Sequence, residues 1–384
     1  MSSMCALPWM SIETTALGEF RPCCLAEESI TKTDGSYFKV SNGDTIQDAF
    51  YSDYMENLRK EFANGNKPDT CKKCWALESA GGYSKRMISN DKFAKYKDKK
   101  LKFLDLKLGN ICNLKCRICG VWSSSKWAQE EIDLGNKEAK TFLSAGQWPR
   151  QKHDLWTEVI ELLPDVEYFE FTGGEPFLIK EHFNILEKSV ELGHSKKQIV
   201  HYNTNGTTYP DHAVKNIWPH FKLVEVAFSI DDIGERFEYQ RYGAIWKEVN
   251  KNIHKINSLR STNPIKTQIC CTINIQNIWN MPEICEWIES MHFDYVFFNY
   301  LHESKEWNVQ YLPNNYKNKI QNKLLNSKTS DRMRIEIGKA VNFMMDNNLG
   351  NAQMDWQRKE KIKASDTYRN QSFVAVHPEY EGML

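Results

Sequence analysis

Six strand-like stretches, separated by helical patterns, run between residues 101 and 300, and they constrain the fold more than any other feature of the chain. Residues 101–108, 166–172, 198–204, 223–230, 266–275 and 294–300 are alternating or apolar, as strands are. Helical patterns such as 183–192, 213–218, 245–259 and 282–291 lie between them. Strands and helices in strict alternation build a parallel sheet with right-handed crossovers. Ligands of such folds bind at the C-terminal ends of the strands. The chain places its least ordinary residues there: a cysteine run after the first strand, Gly173-Gly174-Glu175-Pro176 after the second, Asn205-Gly206 after the third and Ser229-Ile230-Asp231 after the fourth.

The alternation also separates two faces. Leu104 and Leu106 oppose Asp105 and Lys107; Phe169 and Phe171 oppose Glu170 and Thr172; Val200 and Tyr202 oppose His201 and Asn203. On the fourth strand Val226 and Phe228 oppose Glu225 and Ser229, and on the fifth Ile269, Cys271 and Ile273 oppose Gln268, Cys270 and Thr272. A parallel sheet covered by helices on both faces is apolar on both. A face polar on five successive strands, buried dry, would cost several kcal/mol. It is expected to line a wet lumen that holds ligand.

Eleven cysteines, an odd number in a chain of 384 residues, do not describe a secreted disulfide scaffold. Their close spacings point to metal in a reducing compartment. Cys112-Asn-Leu-Lys-Cys116-Arg-Ile-Cys119 supplies three thiolates within eight residues, one short of a closed structural zinc site. This Cys-x3-Cys-x2-Cys run resembles the radical S-adenosylmethionine (radical SAM) superfamily. The resemblance implies a (β/α)6 partial barrel and a [4Fe–4S] cluster on Cys112, Cys116 and Cys119 whose open iron binds SAM. Gly173, Gly174 and Glu175 are similar to the motif that receives the SAM amino group, a carboxylate suiting an ammonium. Ser229 and Asp231 match ribose-binding positions, Asn205 a position near SAM, and Arg241 an arginine that pairs with the SAM carboxylate. The residue before the third cysteine, often aromatic in the family, is Ile118, so adenine packing is expected to be aliphatic.

A second set lies upstream: Cys5, then Gly18 with four residues between it and Cys23, with Cys24 adjoining, then Cys71 and Cys74. It resembles the SPASM/twitch auxiliary-cluster region. The shorter twitch form fits the cysteine number, and it implies a second [4Fe–4S] cluster on Cys5, Cys23, Cys71 and Cys74, with Cys24 spare. In the family this region ordinarily follows the barrel, and here it precedes it. A four-cysteine zinc ribbon is the competing reading for these residues.

The expected organisation is an auxiliary-cluster domain over 1–95, a radical SAM partial barrel over 96–310 and a helical extension over 311–384. Residues 85–102 are lysine-rich, the composition of a solvated linker, and 313–330 that of an exposed helix. Fifty Lys and Arg balance fifty Asp and Glu, which argues against a nucleic-acid partner. Apolar runs fall far short of the ~20 residues of a membrane span, and no signal segment is visible, so a cytoplasmic enzyme is expected. The resemblance implies cleavage of SAM to a 5′-deoxyadenosyl radical that takes hydrogen from a peptide or protein substrate, with a small metabolite as alternative and flavodoxin or ferredoxin as electron donor. A non-catalytic iron–sulfur carrier is the reading from another class. Parity sends Cys270 into the lumen, where it is the candidate for substrate contact and hydrogen-atom donation, and Cys271 into the packed face.

Overall fold

The structure is a computed structural model that describes residues 3–79, 82–93, 98–302 and 304–383. Its strands, in chain order, are β1 (Ser11–Thr14), β2 (Phe20–Arg21), β3 (Phe103–Lys107), β4 (Lys115–Cys116), β5 (Tyr168–Thr172), β6 (Ile199–Thr204), β7 (Leu223–Ser229), β8 (Arg241–Tyr242), β9 (Ile265–Ile273) and β10 (Tyr295–Tyr300). Six of them, β3, β5, β6, β7, β9 and β10, stand side by side in sequence order and all pair in parallel. Helices such as Lys180–Glu191, Trp246–Ser258 and Met281–Met291 make the return crossovers. This is the parallel sheet that the alternation predicts, in the partial (β/α)6 barrel form that the resemblance implies.

One face of β3, β5, β6, β7 and β9 is dry. Leu104, Phe169, Phe171, Tyr202, Val226 and Ile269 are fully buried between the sheet and its helices. Each such side chain contributes about 2–3 kcal/mol by burial. The odd and even positions of β9 alternate strictly between buried and half-buried, the signature of one packed face and one open lumen.

The sheet does not begin at β3. β1 pairs in parallel with β3, setting Glu13 beside Asp105, and β2 closes that edge as an antiparallel partner. The N-terminal segment is thus hydrogen-bonded to the barrel's first edge. The lysine-rich stretch expected to be a solvated linker includes the helix Lys85–Phe93, which buries Arg86, Ser89 and Phe93. Lys85 pairs with Glu170 at 3.5 Å, so part of its charge faces inward rather than to water. In the C-terminal region the helix Asn314–Leu325 buries Tyr316, Ile320 and Leu324, so it is a packed element and not an exposed one. The helix Ala352–Arg369 reaches back to the barrel through Arg369, held by Glu130 at 3.1 Å, and through Asp366, bound by Arg117 at 2.6 Å.

Candidate functional site

The loop that follows β3 carries Cys112, Cys116 and Cys119, and its neighbours shape it strand by strand. Asn110 donates to the carbonyls of Val121 and Phe142, both at 3.0 Å. Ser124 both caps the helix Ser125–Asp133 and donates to the Leu114 carbonyl at 2.6 Å, while Trp127 Nε1 donates to that of Cys116 at 2.7 Å. β4 pairs antiparallel with β8 so that Cys116 sits opposite Arg241. The glycine pair closes the loop from the other side. A Cβ on Gly174 would lie 2.3 Å from the Ile111 carbonyl oxygen, and Gly173 takes φ +112° against the β3 end. Only glycine allows β5 to end this close to the cysteine loop.

These elements enclose one cavity, lined by Cys112, Cys116, Cys119, Ile118, Gly173, Gly174, Asn205, Ser229, Arg241 and Cys270. The three loop cysteines are brought together with the glycine pair, Asn205, Ser229 and Arg241. Asn205 Nδ2 donates to Asn113 Oδ1 at 3.1 Å and lies 3.9 Å from Cys112 Sγ. Arg241 donates to Asp231 Oδ2 at 2.6 Å and approaches Cys116 Sγ at 3.7 Å. Its Nε is buried without a partner. The Cys116 thiol is lowered to about 7, chiefly by the hydrogen bond from Cys119, with Arg241 adding a favourable charge. Three converging cysteines, one of them with its thiol lowered, beside an unused guanidinium donor fit an iron–sulfur cluster with an anionic ligand next to it.

Two residues assigned to SAM by sequence are placed otherwise. Glu175 does not line the cavity: Oε1 accepts from Thr204 Oγ1 at 2.8 Å and from the Phe177 amide at 3.1 Å, and Oε2 from the Asn205 amide at 2.7 Å. Burial raises its carboxyl to about 7. It ties the loop after β5 to the end of β6, and its carboxylate is not presented to a ligand ammonium. Asp231 is likewise turned away from the cavity, accepting from Arg241 and from the Thr272 amide at 2.9 Å. Local sequence could not reveal this, because donors brought from other strands, Thr204 and the Asn205 amide for Glu175 and the Thr272 amide for Asp231, use these carboxylates.

On β9, Cys270 lines the cavity while Cys271 is fully buried with its thiol on the Asp231 carbonyl. Gln268 Nε2 reaches Cys270 Sγ at 3.2 Å, and burial pushes the thiol up to about 11.

The upstream cysteines converge as well. Cys5, Cys23, Cys71 and Cys74 line one hollow together with Lys85 and Arg86. Cys24 lines a different, larger cavity that opens between the N-terminal segment and the lumen. Adjacent thiols are thus divided between two spaces. Burial pushes the Cys5 and Cys71 thiols up to about 12. Among the described residues no three His, Cys, Asp or Glu form a group able to hold a single metal ion. Four thiols spread around a hollow, with two cations at its edge, fit an anionic cluster with a width of its own.

Sequence reasoning missed Asn110, Ser124 and Trp127, which hold the cysteine loop. The one signal in the sequence was the Gly109-Asn110 dipeptide, whose glycine takes φ +68° in the structure.

Residues 106–288 match the family model of the radical SAM superfamily. This segment spans the cysteine loop, the end of β3 and all of β5, β6, β7 and β9. Among solved structures the chain is similar to anSMEcpe with bound AdoMet and Cp18Cys peptide, at 18% identity and a TM-score of 0.40, covering 58% of each chain. It is also similar to Streptococcus suis SuiB bound to precursor peptide SuiA, at 15% identity and a TM-score of 0.36, covering 80% of this chain and 54% of that one. The chain thus spans a little over half the length of these two solved relatives. No curated protein matches the sequence. Among the described residues no helix is long and apolar enough to cross a membrane.

Proposed function

We propose that this chain is a radical SAM enzyme that modifies a peptide or protein substrate. The observation that carries the reading is one cavity where Cys112, Cys116 and Cys119 meet the Gly173–Gly174 pair and an Arg241 guanidinium with a buried, unpartnered Nε. The three cysteines would hold a [4Fe–4S] cluster. When bound, that cluster and SAM supply a 5′-deoxyadenosyl radical able to take hydrogen from an unactivated C–H bond of the substrate.

The chain's own residues then have separable tasks. Arg241 offers Nε to the SAM carboxylate, and its pairing with Asp231 fixes the plane of the guanidinium. Asn205 and Ser229 present polar groups to the same cavity, and Ile118 an aliphatic wall. Cys270, held as S–H by burial, is in the form suited to substrate contact and hydrogen-atom donation. Cys5, Cys23, Cys71 and Cys74 would hold a second cluster, which supplies a relay for electrons to or from the substrate. A flavodoxin or ferredoxin in the cytoplasm, where thiols stay reduced, would deliver the first electron. A polypeptide suits the larger cavity, because that space is open and carries the exposed rings of Tyr37 and Trp122.

The test is reductive SAM cleavage by the anaerobically reconstituted protein, followed as 5′-deoxyadenosine. The parent should form it. Arg241→Ala should bind SAM more weakly by ~1.5–3 kcal/mol, the worth of a charge-assisted contact. A parent that holds iron and sulfide yet leaves SAM intact is an electron carrier, and the enzyme reading fails.

A further inference from the structure

The lumen face of the sheet carries a row of charge across its strands. Glu13 on β1, Asp105 on β3, Glu170 on β5, His201 on β6 and Glu225 on β7 are direct neighbours in register. Paired strands stand about 4.8 Å apart, and like charges set opposite one another repel. Most of the row is neutralised locally. Glu13 accepts from Arg21 at 2.8 Å and pairs with Lys107. Glu170 has Lys85, and Glu225 has His201 at 3.2 Å, Lys92 at 3.6 Å and the Tyr168 hydroxyl at 2.8 Å.

Asp105 is the exception. It is only 4% exposed, flanked by Glu13 and Glu170, and its Oδ1 is buried without a partner. Every cation close by is already committed to another carboxylate. Burial and the two flanking acids push its carboxyl well above the ordinary range. A buried carboxyl kept without a partner costs stability. The packing of β3 is done by Leu104 and Leu106 on the opposite face and by Phe103 against Tyr168.

Asp105 also has an address. With Glu170 it lines the larger cavity, which encloses about 1730 Å³ of space open to solvent and has Glu27 and Glu28 at its rim. That cavity and the cysteine-lined one share Ser123, Thr172, Gly173 and Asn203, so the two adjoin. A group seated on Asp105 therefore lies at the border of the space assigned to SAM.

We propose that Asp105, supported by Glu170, is the specificity site for a positively charged substrate side chain, the ammonium of lysine or the guanidinium of arginine. A cation there satisfies the orphaned oxygen, screens the acidic neighbours from one another and holds a neighbouring C–H bond toward the SAM cavity. The inference rests on the reading of the chain as a peptide-modifying enzyme, and it names the kind of peptide.

The test uses the full-length reconstituted protein with SAM bound. Dye-labelled pentapeptides with lysine, arginine, norleucine or acetyl-lysine between alanines are titrated by fluorescence anisotropy. The two basic peptides should bind about tenfold or more tightly than the norleucine and acetyl-lysine peptides, the ratio a charge-assisted contact gives. Asp105→Asn, isosteric and neutral, should erase that ratio. A second readout needs no variant: the lysine peptide should protect Cys24, on the same cavity, from alkylation more than the norleucine peptide does. Equal binding of all four peptides by the parent, no binding up to about 1 mM, equal protection of Cys24, or a ratio kept in Asp105→Asn would each overturn the proposal. SAM cleavage by the same preparation separates the two ideas. Cleavage without a basic-peptide preference removes only the cation site, and preference without cleavage removes only the enzyme reading.

Discussion

Glu175 shows how much a single carboxylate can do without touching a ligand. Three donors from two loops converge on it, so its charge is tolerated by hydrogen bonds rather than by a counter-ion in contact. Burial still prevails and lifts its carboxyl from 4.5 to about 7. A folded-state value above the unfolded one means that this group's contribution to stability is complete below about pH 4.5. It is lost as the pH rises through about 7, and is constant beyond. The loss from this residue is on the order of 3 kcal/mol, about 2.5 pKa units at 1.36 kcal/mol each. Urea midpoints of the parent at pH 5 and pH 8 should therefore differ, and Glu175→Gln should reduce the difference, leaving the part due to Asp232, whose carboxyl burial raises to about 8. The amide also sets an NH2 group against donors, so the variant should be about 1–3 kcal/mol less stable than the parent at pH 5. A variant with the parent's pH slope would show that Glu175 is not the titrating group.

At the scale of elements, the cysteine loop is positioned by contacts that its own sequence does not contain. The β4–β8 ribbon sets Arg241 against Cys116 across 125 residues of chain, and the glycine pair at the end of β5 presses on the backbone of 109–111. Gly174→Ala puts a methyl group 2.3 Å from the Ile111 carbonyl oxygen, a backbone atom with no freedom to yield. The overpacking should cost about 1–3 kcal/mol. It should also shift Cys112, so that the reconstituted variant has lower SAM affinity and less iron than the parent while its far-UV spectrum is unchanged. Parental iron and SAM binding in Gly174→Ala would mean that the loop and the β5 end are not coupled in this way.

For the molecule as a whole, the barrel was legible in the sequence because strand alternation and buried-face periodicity act over few residues. All six strands lie within three residues of the expected bounds at either end. The parity of β9, which separates Cys270 from Cys271, follows from the same local rule. The roles of Glu175 and Asp231 were not legible, since their partners are backbone amides and an arginine fixed only by tertiary packing. Nor was the edge: β1 is four residues long, too short for its alternation to be distinguished from a loop, yet it joins the auxiliary segment to β3. The lysine-rich stretch misled for a related reason, because the acids that Lys85 and Lys92 face lie on distant strands.

Two cysteine-lined sites flank this sheet, one over the C-terminal ends of the strands and one beyond the first edge. Iron and sulfide analysis of the anaerobically reconstituted chain tests this most directly. The parent should hold about eight of each, and the triple Cys112→Ala, Cys116→Ala, Cys119→Ala variant about four. Cys5→Ala should keep the cluster of the barrel site and lose the other. Tightly bound zinc at the upstream cysteines with only about four irons in the parent, or a triple variant that keeps all of the parent's iron, would contradict it.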